Sequence, residues 1–326
     1  MTGIRLGILG AGIMGRRVAQ AAVDTGRFSV TSVADVDLDR AASLACEHGA
    51  AAHPSVQELF DGRPAIDAVY IGLPHHLHLQ ACLAAAQAGV HVLVDKPLCN
   101  TQDQANQIEE AARDSTSLWM VGFSYRFRSD WRRAQEIIAS GAIGAPYFVT
   151  DMIVEAYKST PAWYWDLACG GGILQMQSHH SFDRISWLLG GGSARQIACR
   201  VARLPGGAEK SAQIAVQYDN GVTGNISLSF GLAYDAPPKT LFVIQGELGM
   251  IELDDSRTLR VFTGDSAFVE DHADDDWLGR EITEFADAID GGLTGYPGLA
   301  DGVSALRGAL AAGRAARSES WVAVNG

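Results

Sequence analysis

The sequence has few cysteines, a shortage of positive charge and no long apolar run, and each shortage removes a class of function. The five cysteines, Cys46, Cys82, Cys99, Cys169 and Cys199, are scattered and odd in number. None belongs to a Cys-x-x-Cys pair, so neither a disulfide framework nor a zinc site is expected, and the thiols read as reduced and mostly buried. A formal charge of −13 argues against a general nucleic-acid binder, whose phosphate contacts need clustered lysine and arginine. Part of that charge sits in "EDHADDD", Glu270 to Asp276, which reads as a solvated loop. No apolar stretch reaches the roughly 18 residues of a transmembrane helix, so no membrane is expected. The opening "MTGIRLGILGAGIMG" reads as a strand and a glycine turn rather than a signal peptide, which predicts a cytoplasmic protein. Repeats, low-complexity tracts and long linkers are lacking too.

What is present is an ordinary globular composition, 47% apolar and 19% charged, over 326 residues, a length that favours two domains. From residue 4 to about 121, β-rich runs ("IRLGIL", "FSVTSVAD", "DAVYIGL", "HVLVD", "LWMVG") alternate with helical stretches. That alternation builds a parallel sheet covered on both faces. Beyond Gly122 it stops. A helix at "DWRRAQEIIASGAIG", a strand near "YFVTDMIVEA" and a long helix at "ILQMQSHHSFDRISWLLG" lead into successive strands from about Arg195, then helices near 277–290 and 299–316 and a short strand in "SWVAV". The expected fold class is α/β: a Rossmann dinucleotide-binding domain over 1–123, then an α/β domain over 124–326 with an open, mostly antiparallel sheet.

Gly10, Gly12 and Gly15 form a G-x-G-x-x-G turn between the first strand and the first helix, with Ile13 and Met14 inside it. Glycines there permit the tight turn and let backbone N–H groups approach a pyrophosphate. Asp35 follows at the end of the second strand, where a carboxylate accepts from a ribose 2′-OH. Its charge would repel a 2′-phosphate and Val36 supplies no cation, so NAD is expected in preference to NADP. Arg16, Arg17 and Arg40 read as solvent-exposed helix arginines. Two further stretches fall at strand ends: "GLPHHLH", with Leu73, Pro74, His75 and His78, and "VDKPL", with Asp95, Lys96 and Pro97. All of these are cofactor candidates. The proline restricts the backbone of Lys96 and is itself a candidate for a cis bond. Beside a positive nicotinamide ring a half-buried lysine would have its pKa lowered toward acid–base use. The alternative for it is a surface lysine. The histidine triplet has no carboxylate or cysteine at ligand spacing, so no metal is expected.

Together these motifs resemble the Gfo/Idh/MocA oxidoreductase family. The resemblance rests on "GAGIMG", on "DKP" where Glu-Lys-Pro is usual, on "YRF" at Tyr125 to Phe127, on "SGAIG" at Ser140 to Gly144, and on "GGGILQMQSHHSFD" from Gly170 to Asp183. It implies a nicotinamide cofactor and hydride transfer at the hydroxyl carbon of a sugar, cyclitol or related polyol. It also implies a homodimer or homotetramer formed through the C-terminal sheet. By the family pattern His180, the eleventh residue after the glycines begin, is the catalytic histidine beside Lys96, with His179 a helix-face residue. Met176 stands where many relatives carry an aspartate. In its place, Gln177 is expected to contact substrate or imidazole and Asp183 to hold the tautomer of His180. Tyr125 and Trp163 are expected at the substrate, the latter as a stacking face or else packed under a loop, and Arg126 at the cofactor amide or a substrate anion or else in a surface salt bridge. The rivals are a dehydrogenase of a non-sugar cyclic diol and a non-catalytic dinucleotide sensor on the same fold.

Overall fold

The structure is a computed structural model that describes residues 3–62, 65–113, 115–156, 159–231, 234–264, 266–273 and 275–325. Two compact units make up the chain, Met1–Ser124 with Asp276–Val303 and Tyr125–Asp275 with Ser304–Gly326.

In the first unit the order is β1 (Ile4–Leu9), α1 (Ile13–Asp24), β2 (Phe28–Ala34), α2 (Leu38–His48), β3 (Ala51–His53), α3 (Val56–Asp61), β4 (Ala68–Ile71), α4 (His78–Ala88), β5 (His91–Asp95), α5 (Gln102–Arg113) and β6 (Trp119–Gly122). The six strands pair in parallel in the order β3-β2-β1-β4-β5-β6. Every residue of β4 is buried, as expected of a strand covered on both faces. The strand order reverses between β1 and β4, and that reversal opens a ligand crevice at the strands' carboxyl ends.

The sequence reading had no β3 or α3. Three residues are too few to show a period. The signal for α3 was a capping box, Ser55 accepting the N–H of Glu58 at 3.2 Å. Helix Trp277–Ile289 also belongs to this unit, although it follows the second unit's sheet in sequence. Phe285 stacks on Phe28 of β2 at 5.9 Å, and Arg27 bridges Asp287 at 2.7 Å and Asp290 at 2.6 Å.

In the second unit α6 (Ser129–Ala139) and α7 (Ile173–Leu188) accompany a nine-stranded sheet. Its strands are β7 (Pro146–Ala156), β8 (Ala194–Arg203), β9 (Glu209–Tyr218), β10 (Thr223–Gly231), β11 (Ala236–Gly246), β12 (Gly249–Asp254), β13 (Thr258–Thr263), β14 (Ala267–Asp271) and, after α8 (Trp277–Ile289) and α9 (Leu299–Ser318), β15 (Val322–Ala323). The order is β14-β13-β12-β11-β7-β10-β9-β8-β15, and only β7 and β10 pair in parallel. α7 lies over β9 and β10, α6 over β12 and β13, and the two helices touch.

"EDHADDD" is not simply a solvated loop. Glu270 and Asp271 end β14, Glu270 lies 3.2 Å from Arg133, and the buried Asp275 carboxylate accepts the N–H of Ser129 at 3.0 Å. Asp274 lies outside the described residues.

Candidate active site

The turn from β1 to α1 is shaped by what a side chain would strike. Gly10 has φ +97°, and a Cβ there would run into the carbonyl oxygen of Gly72; a Cβ on Gly15 would run into that of Gly10. Gly12, the N-cap of α1, faces open space and no side chain caps the helix, so its first N–H groups point outward. Asp35 is buried and accepts the N–H of Ala11 and of Asp37, both at 2.9 Å. Around this cradle Ile13 is 81% and Val36 86% exposed, apolar surface that a bound ligand would cover. An open helix N-terminus, a carboxylate at the end of β2 and uncovered apolar rims fit a dinucleotide.

Arg17 and Arg40 are exposed, as expected, and Arg16 partly so, but each has a partner. Arg16 pairs with Glu47 at 2.6 Å, and Arg40 reaches Asp35 at 2.9 Å. Arg17 lies 5.3 Å over the ring of Trp277.

Replacing Asp35→Ser with Val36→Arg removes the carboxylate that ties the turn and is expected at the ribose. NAD should bind less tightly and NADP more tightly, through lost repulsion and a new phosphate partner. Fluorescence titration of both dinucleotides against parent and variant checks this; an unchanged preference would take Asp35 away from the ribose.

At the ends of β4 and β5 the loops carrying Leu73 and Lys96 are clasped together. His78 is fully buried, with Nε2 2.8 Å from the carbonyl of Leu73 and Nδ1 2.8 Å from that of Pro97. Burial lowers its pKa. Both ring nitrogens face backbone carbonyls, so His78, expected beside the cofactor, ties the two loops together. His75 is buried with its ring edge-to-face on His78 at 5.8 Å, which accounts for the triplet by packing. Among the described residues no group of three or more His, Cys, Asp or Glu is arranged to hold a metal. The Lys96–Pro97 peptide is cis. Lys96 is half-buried, and its N–H donates to Oδ1 of Asp95 at 2.8 Å.

In the second unit the three glycines let the chain turn under Trp163 and Tyr164 into α7. Gly172 has φ +89°, and a Cβ on Gly171 would meet the carbonyls of both aromatics. Trp163 is half-buried with its ring edge-to-face on Tyr164 at 4.5 Å.

The two histidines of α7 differ sharply. His179 is fully buried, its Nε2 2.8 Å from Oε1 of Gln175, so it faces the interior and not a solvated helix face. His180 is half-exposed, with its ring edge-to-face on Tyr125 at 5.2 Å. Tyr125 is itself held between guanidinium groups, Arg184 at 4.2 Å and Arg128 at 5.2 Å. Arg184 is fully buried and pairs with Asp151.

Two expected ligand contacts find other partners. Arg126 forks onto Asp183 at 2.6 Å, both buried, so the guanidinium expected at the cofactor amide and the carboxylate expected at His180 are engaged with each other. Gln177 donates to Glu155 at 2.6 Å. The sequence reading missed Glu155. Its signal was phase: Glu155 shares the face of β7 that carries the buried Val149, Asp151 and Ile153. Met176 is buried.

A glycine cradle at an open helix N-terminus, a buried carboxylate at the end of β2 and a lysine on a clasped loop make the first unit one that fits a dinucleotide. Residues 4–123 match the family model described as "Oxidoreductase family, NAD-binding Rossmann fold", and residues 131–252 match the GFO/IDH/MocA C-terminal domain. The chain belongs to the Gfo/Idh/MocA family of NAD-binding oxidoreductases. It is 27% identical to 1,5-anhydro-D-fructose reductase of Ensifer adhaerens, over 97% of this chain and 99% of that one. It is 30% identical to inositol 2-dehydrogenase 2 of Saccharopolyspora erythraea, over 78% and 75%. A solved structure of levoglucosan dehydrogenase with NADH and levoglucosan shares the fold, with a TM-score of 0.90, 22% identity and full coverage of both chains. Among the described residues no helix is long and apolar enough to cross a membrane.

Proposed function

We propose that this oxidoreductase acts on a hydroxyl carbon of a sugar, cyclitol or related polyol, with NAD preferred over NADP. The single observation that carries the assignment is on α7, where His180 is the one titratable side chain that is not buried. NAD, when bound, supplies the nicotinamide carbon that takes up or returns hydride. Lys96 and His180 move the hydroxyl proton, while Gly10, Gly12, Gly15 and Asp35 hold the dinucleotide. Tyr125 and Trp163 present flat faces to the substrate ring, and Gln177, steadied by Glu155, hydrogen-bonds it. Residues 1–124 with 276–303 serve the cofactor, and residues 125–275 with 304–326 the substrate and self-association. Two or four copies associate through the sheet face opposite α6 and α7, in the cytoplasm.

Relatives named as a sugar reductase and a cyclitol dehydrogenase support the substrate class. The test is a panel of sugars, cyclitols and cyclic diols with NAD and with NADP, followed by nicotinamide absorbance. Turnover is expected on at least one polyol with NAD. Silence on every polyol, or turnover on cyclic diols alone, would overturn the substrate reading.

A further inference from the structure

We infer that Tyr70 is a positioning residue for the lysine of this site: its hydroxyl holds the Asp95 carboxylate, and Asp95 in turn holds the backbone of Lys96. The inference rests on the reading of Lys96 as a proton carrier.

Tyr70 and Asp95 lie on the neighbouring strands β4 and β5, where Tyr70 is in register with Leu93. The phenol is buried, and its oxygen donates to Oδ2 of Asp95 at 3.3 Å. Oδ1 of the same carboxylate accepts the N–H of Lys96 at 2.8 Å. The plane of the carboxylate is therefore set from both sides, one by the tyrosine and one by the lysine's own backbone. On its other side the phenol ring lies against Gly72, where any Cβ would enter the ring. The glycine is what allows the hydroxyl to reach β5. Burial first, then the charges of Asp95 and Glu281, raise the pKa of Tyr70 well above its ordinary value, so it stays a donor throughout the working range.

Glu281 of α8 completes the cluster. It is 4% exposed, and its Oε1 has no hydrogen-bond partner. Burial, reinforced by Asp95 and by Glu284 on its own helix, pushes its carboxyl up to about 8. Arg280 is the neighbour of Glu281 in the chain, and Arg17 of α1 opposes the acids in their effect on Tyr70. Glu281 is therefore mostly neutral at neutral pH. Its ionisation would add a negative charge behind the lysine loop.

The test needs no substrate, because the sequence holds only four lysines, Lys96, Lys158, Lys210 and Lys239. Isotope labelling at the lysine ε carbon gives one NMR signal for each, and Lys96→Met assigns the signal of interest by its loss. Tyr70→Phe frees one oxygen of Asp95 to turn toward the ammonium, so the Lys96 midpoint should rise by about half a pH unit or more. In the parent a smaller inflection of the same signal is expected at about 8, the ionisation of Glu281, and it should vanish in Glu281→Gln. An unmoved midpoint in a Tyr70→Phe protein that melts like the parent would overturn the inference. If Tyr70→Phe does not fold, Gly72→Ala takes its place, since the added methyl enters the ring and displaces the hydroxyl from Asp95, and an unmoved Lys96 midpoint there would overturn the inference as well. Near-normal turnover of Lys96→Met would sink the proton-carrier reading separately, since these titrations report the coupling whether or not Lys96 is catalytic.

Discussion

Lys96→Met should bind NAD within a few-fold of the parent and turn over roughly 100-fold more slowly or worse, the scale of lost acid–base help. Methionine keeps the bulk of the stem and deletes only the ammonium. The loop should keep its shape, because the contact to Asp95 is made by the backbone N–H and the clasp by His78 grips backbone carbonyls. Calorimetric titration of NAD beside steady-state kinetics on the best polyol separates the two effects. A drop in binding as large as the drop in turnover would mean that the side chain serves the cofactor and not the proton.

The second large effect divides the histidine pair. His180→Asn should lose turnover on a similar scale while melting close to the parent, since a half-exposed ring contributes little to the core. His179→Asn should do the reverse. It removes a fully buried ring bonded to Gln175, which costs on the order of 1–3 kcal/mol, and the molecules that fold should still turn over. Thermal melts and kinetics on both variants read the difference. Should His179→Asn be the variant that folds well and fails to turn over, the face of α7 turned to the substrate has been misassigned.

Local rules made the cofactor half of the fold readable. The glycines of the first turn, the strand alternation and the carboxylate at Asp35 each follow from contacts within a few residues of chain, and a parallel sheet repeats the same unit. Partnerships across long separations were not readable. Arg126 and Asp183 looked like two ligand contacts because nothing in either segment announces the other 57 residues away. Gln177 and Glu155 sit on different elements, and only the phase of β7 hinted at an acid facing inward. His78 was legible through its neighbours at the crevice, and its turn toward two backbone carbonyls was not. β14 was hidden by charge: the acidic run that suggested solvent begins inside this edge strand, where charged side chains guard against stray pairing.

Helix α8 gives the growing chain a problem of timing. A ribosome releases residues in order, and domains made of one continuous stretch fold as they emerge. Here the first sheet leaves the exit tunnel without the helix that carries Phe285, so the aromatic face of Phe28 and the guanidinium of Arg27 wait for partners more than 250 residues downstream. A chain released at Ser124 should bind an apolar reporter dye that the full-length protein ignores, and adding residues 276–303 as a separate peptide should suppress that signal. The nascent protein is thus exposed to aggregation through most of its translation, and a holding chaperone would find its binding surface on the cofactor unit's unfinished flank.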